Sequence, residues 1–531
     1  MYKYVSMKLV LIQKLKTLVL MIGLSACLSG LTLQASAKNL QENNQNTDYN
    51  VVVIHVDDLG WRDLGCMGSP VYETPNIDRL AKSGTLYTSA YASASICSPS
   101  RACLLTGSQP SRHGVYTVVK NRGSKTHWKV TPIKNKQYLN KDYPTIASVL
   151  TKAGIANGSM GKWHVSGQVP SHGFNEGKWG GYLGLPINYF APFKLSFLPK
   201  DAPKGAYLPT YIRQAGVDFL KSHQKEQFFL YFSTYLPHDE INNKGEDPDA
   251  TGTFRLSGPK VVVDKYRAKI KKMKEEKKDL KGHDNPVFAA MVEETDRSVG
   301  AIIDTLDKLK LREKTLILFI SDNGGLSKYS SQFPLRGQKV SMYEGGIRVP
   351  MIASMPGRIA ADKKNDEPVS GIDFYPTICN VMGVEPLYQP WVDGEDLTDL
   401  LFGGKALPER NLFWTFPIYS KPSLASRSPR SVMRRGHWKI HHRFEDKGYE
   451  LYNLKEDIGE TKDLSSSHPK ELELMKTEII SCYKRFGSSK RLRPNPEYNK
   501  VEHAAECLKA DKEAIPTLKT TAQVYSELGL Q

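Results

Sequence analysis

Four short apolar runs stand out along the chain: VVVIHV (Val51 to Val56), FFLYFS (Phe228 to Ser233), LILFI (Leu316 to Ile320) and VPMIAS (Val349 to Ser354). Runs this short, with no polar alternation, fit parallel strands buried on both faces. Helical spacing of apolar positions fills the stretches between them. TIASVLTKAG (Thr145 to Gly154) ends on a glycine stop, and Phe288 to Leu309 reads as a long amphipathic helix. A further strand is expected around Ile155 to Ser159, and KYRAKIKKMKEEKKDLK (Lys265 to Lys281) reads as an exposed charged helix. Strands alternating with helices predict an α/β domain, with a large mixed, mostly parallel sheet sandwiched by helices. After about Asn411 the pattern changes. SVMRRGHWKIHHRF and GYELYNL read as short strands joined by turns, and PKELELMKTEIISCYKRF as a helix, which predicts a smaller α+β domain on a short antiparallel sheet. From about Gly487 the chain is polar and partly irregular. The expected division is a main domain over residues 38–410, the α+β part over 411–487 and an extension over 488–531.

The first 37 residues stand apart. Lys3, Lys8, Lys14 and Lys16 precede an apolar run from Leu18 to Leu33, and Ala35 to Ala37 read ASA. That order is the order of a secretory signal, and the run is short for a membrane span, so export without an integral span is expected. LSAC (Leu24 to Cys27) offers a competing lipoprotein cleavage at Cys27. The residues after Cys27 stay apolar, which favours cleavage after Ala37 and a periplasmic or secreted protein. Removing residues 1–37 lowers the net charge from +17 to +13. A basic exported protein suggests an anionic partner, although the lysine-rich helix carries much of the excess on a solvated surface. No nucleic-acid motif is present, and a nucleic-acid partner is not expected. The chain has 531 residues, 40% of them apolar and 24% charged, which suits a soluble protein larger than one ordinary core. The remaining cysteines, Cys66, Cys97, Cys103, Cys379, Cys482 and Cys507, form no zinc pattern or dense disulfide framework. Cys482 and Cys507 are the one candidate pair.

In open α/β sheets, ligands bind beyond the carboxyl ends of the strands. Asp57 and Asp58 follow the first run directly. Ser321, Asp322 and Asn323 follow the third, and Thr234 to Pro237 and then His238 follow the second. Acids gathered at one edge repel unless a cation neutralises them, and hard oxygen donors suit calcium best, magnesium less so. The competing reading is that such acids merely cap loops.

SASICSPSRACLLTG (Ser93 to Gly107) predicts a short helix from Pro99 to about Thr106, with Ser98 as N-cap and Gly107 as stop. Cys97 would sit at its N-terminus, where an anion is favoured and a thiol would be reactive. Arg101 would point back to the same face, while Cys103 would pack in the core. Two more basic segments stand out: GKWH, with Lys162 and His164, and LRGQKVSMYEGGIRVP, with Lys339, Arg348 and a tight turn at Gly345 and Gly346. His55, His113, His441 and His442 read as structural or surface residues.

Together these motifs resemble the formylglycine-dependent sulfatases of the alkaline-phosphatase superfamily, including bacterial polysaccharide sulfatases. The Cys-x-Pro-Ser-Arg segment with its Thr-Gly is present at Cys97, Pro99, Ser100, Arg101, Thr106 and Gly107. DDLGW, GKWH, PH, SDNGG and RGQK…YEGGIRVP follow in the family's order, and RRGHWKI and ELYNLKED match its C-terminal part. The resemblance covers roughly Val51 to Leu464 and implies an alkaline-phosphatase-like fold. It further implies that a formylglycine-generating or anaerobic sulfatase-maturating enzyme oxidises Cys97 to formylglycine, whose hydrated diol attacks sulfur and forms a covalent sulfo-enzyme. Calcium would be held by Asp57, Asp58, residue 97, Asp322 and Asn323. Arg101 would hold the diol, Lys162, His238 and Lys339 would bind sulfate, His238 would protonate the leaving oxygen and His164 would take a proton from the diol. The expected substrate is a sulfated carbohydrate, such as ulvan, carrageenan or a glycosaminoglycan. The alternatives are a phosphate or phosphonate ester hydrolase, or a polysaccharide-binding protein without activity. One departure is PHDE: Asp239 and Glu240 follow His238 where many glycan sulfatases carry a proline two residues on.

Overall fold

The first apolar run lies in the middle of the central sheet of the computed structural model. The structure describes residues 49–530 except 121–122, 242–254, 387–390, 420–427, 489–491 and 509–518. The expected export signal and Cys27 lie outside the described residues. Eight strands form the sheet: β1 (Asn50–Val56), β2 (Thr85–Tyr87), β3 (Ala156–Gly161), β4 (Glu176–Lys178), β5 (Phe228–Ser233), β6 (Thr315–Ser321), β7 (Met351–Ser354) and β8 (Lys363–Asn365). Their spatial order is β8-β2-β7-β6-β1-β5-β3-β4. β1 pairs in parallel with β5 and β6, and β3 in parallel with β4 and β5.

β7 differs from the expectation of a parallel strand: it runs antiparallel to both β6 and β2. An apolar run shows burial but not direction. The residues from 322 to 350 stay at the edge where β6 ends, so the next strand starts there and runs back.

Burial on both faces of the sheet follows from the strand alternation. Val52, Ile54 and Val56 point to one side, where they pack with α1 (Pro75–Lys82) and, in the same core, with three helices that come later in the chain. Val51 and Val53 point to the other side, with α2 (Cys97–Thr106) and α3 (Ile146–Lys152). The later helices on the first side are α4 (Leu208–Ser222), α5 (Lys260–Glu275) and α6 (Pro286–Lys308); α7 (Phe374–Val381) joins the second. Each fully buried aliphatic side chain in these strands contributes about 1.5–3 kcal/mol. The lysine-rich helix begins earlier and ends earlier than its charge run suggests. Val262, Val263, Tyr266 and Ile270 supply a buried stripe that includes α5 in the core.

Beyond residue 410, β9 (Asn411–Phe416), β10 (Arg430–Arg435), β11 (Trp438–Arg443) and β12 (Tyr449–Asn453) form an antiparallel meander. One face carries Phe413, Met433, Ile440 and Leu451 against α8 (Pro469–Arg485). The other carries Trp414, Phe416 and Val432 into a cluster with Tyr91, Ile96 and Cys97. The small sheet therefore covers the start of α2. The candidate Cys482–Cys507 pair is not formed: both are free, Cys482 packing on Met433 and Cys507 lying exposed in the helix α9 (Lys500–Leu508). The sulfurs belong to different surroundings, which sequence spacing does not reveal.

The end of the chain is more ordered than its polar composition implies. α10 (Thr521–Glu527) places Val524, Tyr525 and Leu530 in the main core. The Tyr525 hydroxyl accepts a 2.7 Å hydrogen bond from the buried Arg348 guanidinium. Tyr525→Phe is expected to cost about 1–2 kcal/mol, since a hydrogen bond to a charged group is lost and Ser89 still serves Arg348. Calorimetry should show a lower Tm with activity retained; an unchanged Tm would mean that the tail is not fastened there.

Candidate active site

Three strand ends, one helix start and two loops converge at the carboxyl edge of the sheet. Asp57 and Asp58 follow β1 directly, and Asp58 takes a φ of 57°, which turns the chain at the sheet edge. β6 is followed by Asp322 and Asn323. All four side chains are buried. Gly161, with φ of 94°, closes β3 where a Cβ would stand 1.9 Å from the Ser233 carbonyl oxygen, and this close passage brings Lys162 to the same edge. Gly324 packs against the backbone of Gly345, where a Cβ would again meet an oxygen at 1.9 Å. Gly345 and Gly346 lie not in a tight turn but in one helical turn, Glu344–Ile347.

Each acid meets a cation. Lys162 Nζ bonds Asp57 Oδ2. Arg101 donates Nε to Asp322 Oδ2 at 2.9 Å, with Nη2 at 2.7 Å from the same oxygen. Lys339 Nζ lies 2.7 Å from Asp58 Oδ2. Asn323 Nδ2 donates to Asp58 Oδ1 at 2.7 Å, which turns its own Oδ1 away. Asp57 Oδ1 and Asn323 Oδ1 are buried and carry no hydrogen bond. Ligand atoms of Asp57, Cys97 and Asp322 lie within 4.8 Å of one another, as do those of Asp57, Asp58 and His238. Two orphaned oxygens among hard donors fit a divalent cation of the calcium or magnesium type.

Electrostatics separates the groups. Burial pushes the Asp57 carboxyl up to about 7 against the pull of Lys162. Burial acts the same way on Asp322, but Arg101 and Lys162 outweigh it and hold that carboxyl well below the usual range. Burial disfavours the Lys339 ammonium, yet Asp58 keeps its pKa above the ordinary lysine value. For His238, burial and Lys339 lower the pKa, while Asp58, Asp57 and Asp239 together raise it above the usual imidazole value. His164 is driven far down by burial and then by Lys162 and Arg101, and is neutral. Its Nδ1 is buried without a hydrogen bond.

The Cys97 segment departs from expectation in two ways. The helix begins at Cys97 itself, with Ile96 as an N-cap that makes no side-chain bond, and Ser98 Oγ has no partner. Pro99 thus falls in the first turn, where its missing N–H leaves no helical bond unmade. Burial raises the Cys97 thiol pKa, opposed by Lys162 and Lys339. The folded chain therefore holds a neutral thiol, not the reactive thiolate that the helix N-terminus suggests. Arg101 does point back to the acids, and Gly107 ends the helix with φ of 65°. Cys103 is buried in the helix body, 3.4 Å from His113 Nε2.

The structure brings Asp57, Asp58, Cys97, Arg101, Lys162, His238, Asp322, Asn323 and Lys339 into one cluster, with His164 beside it. Arg348 lies outside, bonded to Thr88, Ser89, Glu344 and Tyr525. Three further residues support the cluster. Asp239 holds His238 Nδ1 through its carboxylate and carbonyl, each at 2.9 Å, and accepts the Tyr329 hydroxyl at 2.7 Å. Ser233 accepts from Arg101 Nη1. Asp239 adjoins His238 and Ser233 ends a core strand, so both were visible in the sequence. Tyr329 sits in an irregular loop and gave no signal.

Residues 49–384 match the Sulfatase family model, and residues 337–481 match the model for the N-sulphoglucosamine sulphohydrolase C-terminal region. A protein described as a sulfatase from Formosa agariphila is 29% identical, over 83% of this chain and 88% of its own. The N-acetylgalactosamine-6-sulfatase of Canis lupus familiaris is 30% identical, over 69% of this chain and 68% of its own. Among solved structures, Ps i-CgsB in complex with k-i-k-neocarrahexaose superposes with a TM-score of 0.66 at 27% identity, covering 87% of this chain and 97% of that one.

A divalent cation of the calcium or magnesium type is expected to raise the Tm of this protein, because a ligand that binds only the folded state adds about 2.7 kcal/mol at a hundredfold excess over Kd. Asp322→Asn and Asn323→Ala should each remove most of that rise in calorimetry with and without calcium. An undiminished rise in both variants would place the cation elsewhere.

Proposed function

The chain belongs to the sulfatase family and hydrolyses sulfate esters, and from that premise we propose that its substrate is a sulfated carbohydrate met outside the cytoplasm. The observation that carries the reading is the single cluster in which Cys97 shares ligand distance with Asp57 and Asp322 while Lys162 and Lys339 bond neighbouring acids. The likeness to a structure complexed with a neocarrahexaose and the identity to an N-acetylgalactosamine-6-sulfatase support the carbohydrate. The basic charge and the signal-like first 37 residues support export. No helix among the described residues is long and apolar enough to cross a membrane.

In this reading Asp57, Asp58, Asp322 and Asn323 would hold a calcium ion beside residue 97, which would supply positive charge to the sulfuryl oxygens when bound. Oxidation of Cys97 to formylglycine by a maturating enzyme, followed by addition of water to the aldehyde, would supply a diol, one hydroxyl for bonding sulfur and a second that lets sulfate depart. The chain's other residues orient and move protons. Lys162 and Lys339 present ammonium groups to the sulfate oxygens and offset charge that grows as the ester bond breaks. Arg101, bonded to Asp322 and Ser233, keeps residue 97 and the acids in register. His238 faces the cluster with Nε2, which accepts from Lys339 Nζ at 3.0 Å and lies 3.5 Å from Asp58 Oδ2; its raised pKa favours the imidazolium whose Nε2 proton, once Lys339 turns to the sulfate, passes to the departing sugar oxygen. Asp239 fixes its ring by holding Nδ1. His164, neutral and with a free buried Nδ1, accepts the proton that leaves the second hydroxyl.

A sugar alkoxide needs protonation and a nitrophenolate does not. His238→Ala is therefore expected to lower kcat/KM on a sulfated oligosaccharide by about 10²–10⁴ and to spare 4-nitrophenyl sulfate. Asp239→Asn should follow the same pattern more weakly. Equal losses on both substrates would remove His238 from the acid role. Cys97→Ala should abolish turnover while the circular dichroism spectrum is kept, and the intact mass of the matured enzyme should show the exchange of a thiol for an aldehyde at residue 97, with sulfur and two hydrogens lost and one oxygen gained. Higher kcat/KM on a phosphate ester than on the matching sulfate ester would favour the phosphohydrolase alternative instead.

A further inference from the structure

We infer that residues 118–120 and 123–134, braced by the C-terminal extension, form a docking surface for further sulfate groups of a polymeric substrate, distinct from the group that is cleaved. The inference rests on the reading of the substrate as a sulfated carbohydrate. Between Asp78 and Asp142 lie 63 residues without a single Asp or Glu. The part of this span that leaves the core carries Lys120, Lys125, Lys129 and Lys134, exposed or half-buried. Among the described residues, no carboxylate pairs with these four ammonium groups, while most lysines of α5 are paired with neighbouring acids. Lys125 is held over the face of Trp128, 5.6 Å from its centroid, and Trp128 stacks on Tyr419 at 4.7 Å. A cation–π contact fixes a cation without cancelling its charge. The acids nearby are engaged otherwise: Glu445 accepts the Tyr419 hydroxyl, and Glu502 accepts from Thr126 and Asn499.

Two observations connect this loop to function. Both of its ends, Val118 and Ile133, pack in the cluster that contains Ile96, Cys97 and Val340, the neighbour of Lys339. The loop therefore rises from the wall of the reactive pocket. Its irregular backbone would also be costly to order without hydrogen-bond partners, and the extension supplies them. Asn495 Nδ2 donates to the carbonyls of Lys125 and Trp128 at 2.9 and 2.8 Å, and its N–H donates to that of Lys129 at 3.0 Å. Asn499 N–H donates to the Thr126 carbonyl at 2.7 Å, His503 Nδ1 to that of His127 at 2.8 Å, and Arg493 and Pro494 pair with Thr131 and Val130. A segment with no other evident role thus holds in place a loop whose lysines make no ion pair among the described residues. Charge of that sign complements a polyanion that bears several sulfates.

The test is fluorescence anisotropy of labelled dextran sulfate and of uncharged dextran with the matured full chain, at several salt concentrations. Dextran sulfate should bind, weakening as salt rises, and dextran should not. Lys125→Glu with Lys129→Glu should weaken binding at least about tenfold and flatten the salt dependence by about two ions. The same pair should leave kcat/KM on 4-nitrophenyl sulfate unchanged, which reports an intact fold and pocket. Lys125→Arg with Lys129→Arg should retain binding, as should Lys271→Glu with Lys274→Glu on the exposed side of α5. Undiminished binding in the first variant, or an equal loss in the α5 variant, would overturn the inference. Binding that depends on the loop lysines while no sulfated sugar is hydrolysed would sustain the docking surface and remove the proposed substrate.

Discussion

The arrangement on which the rest depends is the buried pairing of three carboxylates with three cations at one sheet edge. Removing an ion from water costs several kcal/mol even after relaxation, and mutual attraction repays this only with good geometry and full hydrogen bonding. Asp57 with Lys162, Asp58 with Lys339 and Asp322 with Arg101 meet that demand only in part. Asp57 Oδ1 and Asn323 Oδ1 stay unsatisfied. Such a remainder of unpaired oxygen in a dry site is a standing affinity for a cation, and it is also why the scaffold must be rigid. β1, β5 and β6 are buried on both faces, so the strand ends that carry the acids cannot drift apart without opening the core.

A second buried charge network ties the loop that carries Lys339 to the small sheet. Lys439 on β11 lies 2.8 Å from Glu344 and 2.9 Å from Glu460, and His441 is 2.9 Å from Glu460. Glu460 in turn accepts the Glu344 backbone N–H at 2.6 Å. Two carboxylates share one ammonium: Glu344 keeps its charge, while burial pushes Glu460 up to about 7 despite Lys439. The small sheet is thus more than a cover. One face of it does both: Lys439 and His441 set the loop that presents Lys339, and Trp414 and Val432 on the same face pack against the start of α2.

What could be read in the sequence was whatever rests on local pattern. The apolar runs marked β1, β5 and β6, and the residues directly after each run marked the cluster, because a strand end fixes position with no need to know the rest of the fold. Direction was illegible for β7, since composition is the same in either sense and only the return path at the strand edge decides. The start of α2 was misplaced because Ser98 has the chemistry of a cap, yet the helix already turns at Cys97. The extension escaped notice for a different reason. Its contacts are three scattered core residues, Val524, Tyr525 and Leu530, and hydrogen bonds from Asn495, Asn499 and His503, none of which leaves a periodic trace.

Cys97 shows how position and environment can point in opposite directions. A helix N-terminus with lysines nearby favours a thiolate, but full burial among Asp57 and Asp322 outweighs them, so the thiol stays neutral. A neutral thiol 2% exposed is a poor nucleophile and a poor target for any modifying enzyme once the chain has folded. On the proposed reading both facts agree. Conversion at residue 97 has to act on a chain not yet closed over α2, which explains why the Pro99 and Arg101 flanking it are local in sequence. The group produced is uncharged, so the burial that raises the pKa of a thiol imposes no charge penalty on it, while the water that hydrates it still has to reach residue 97.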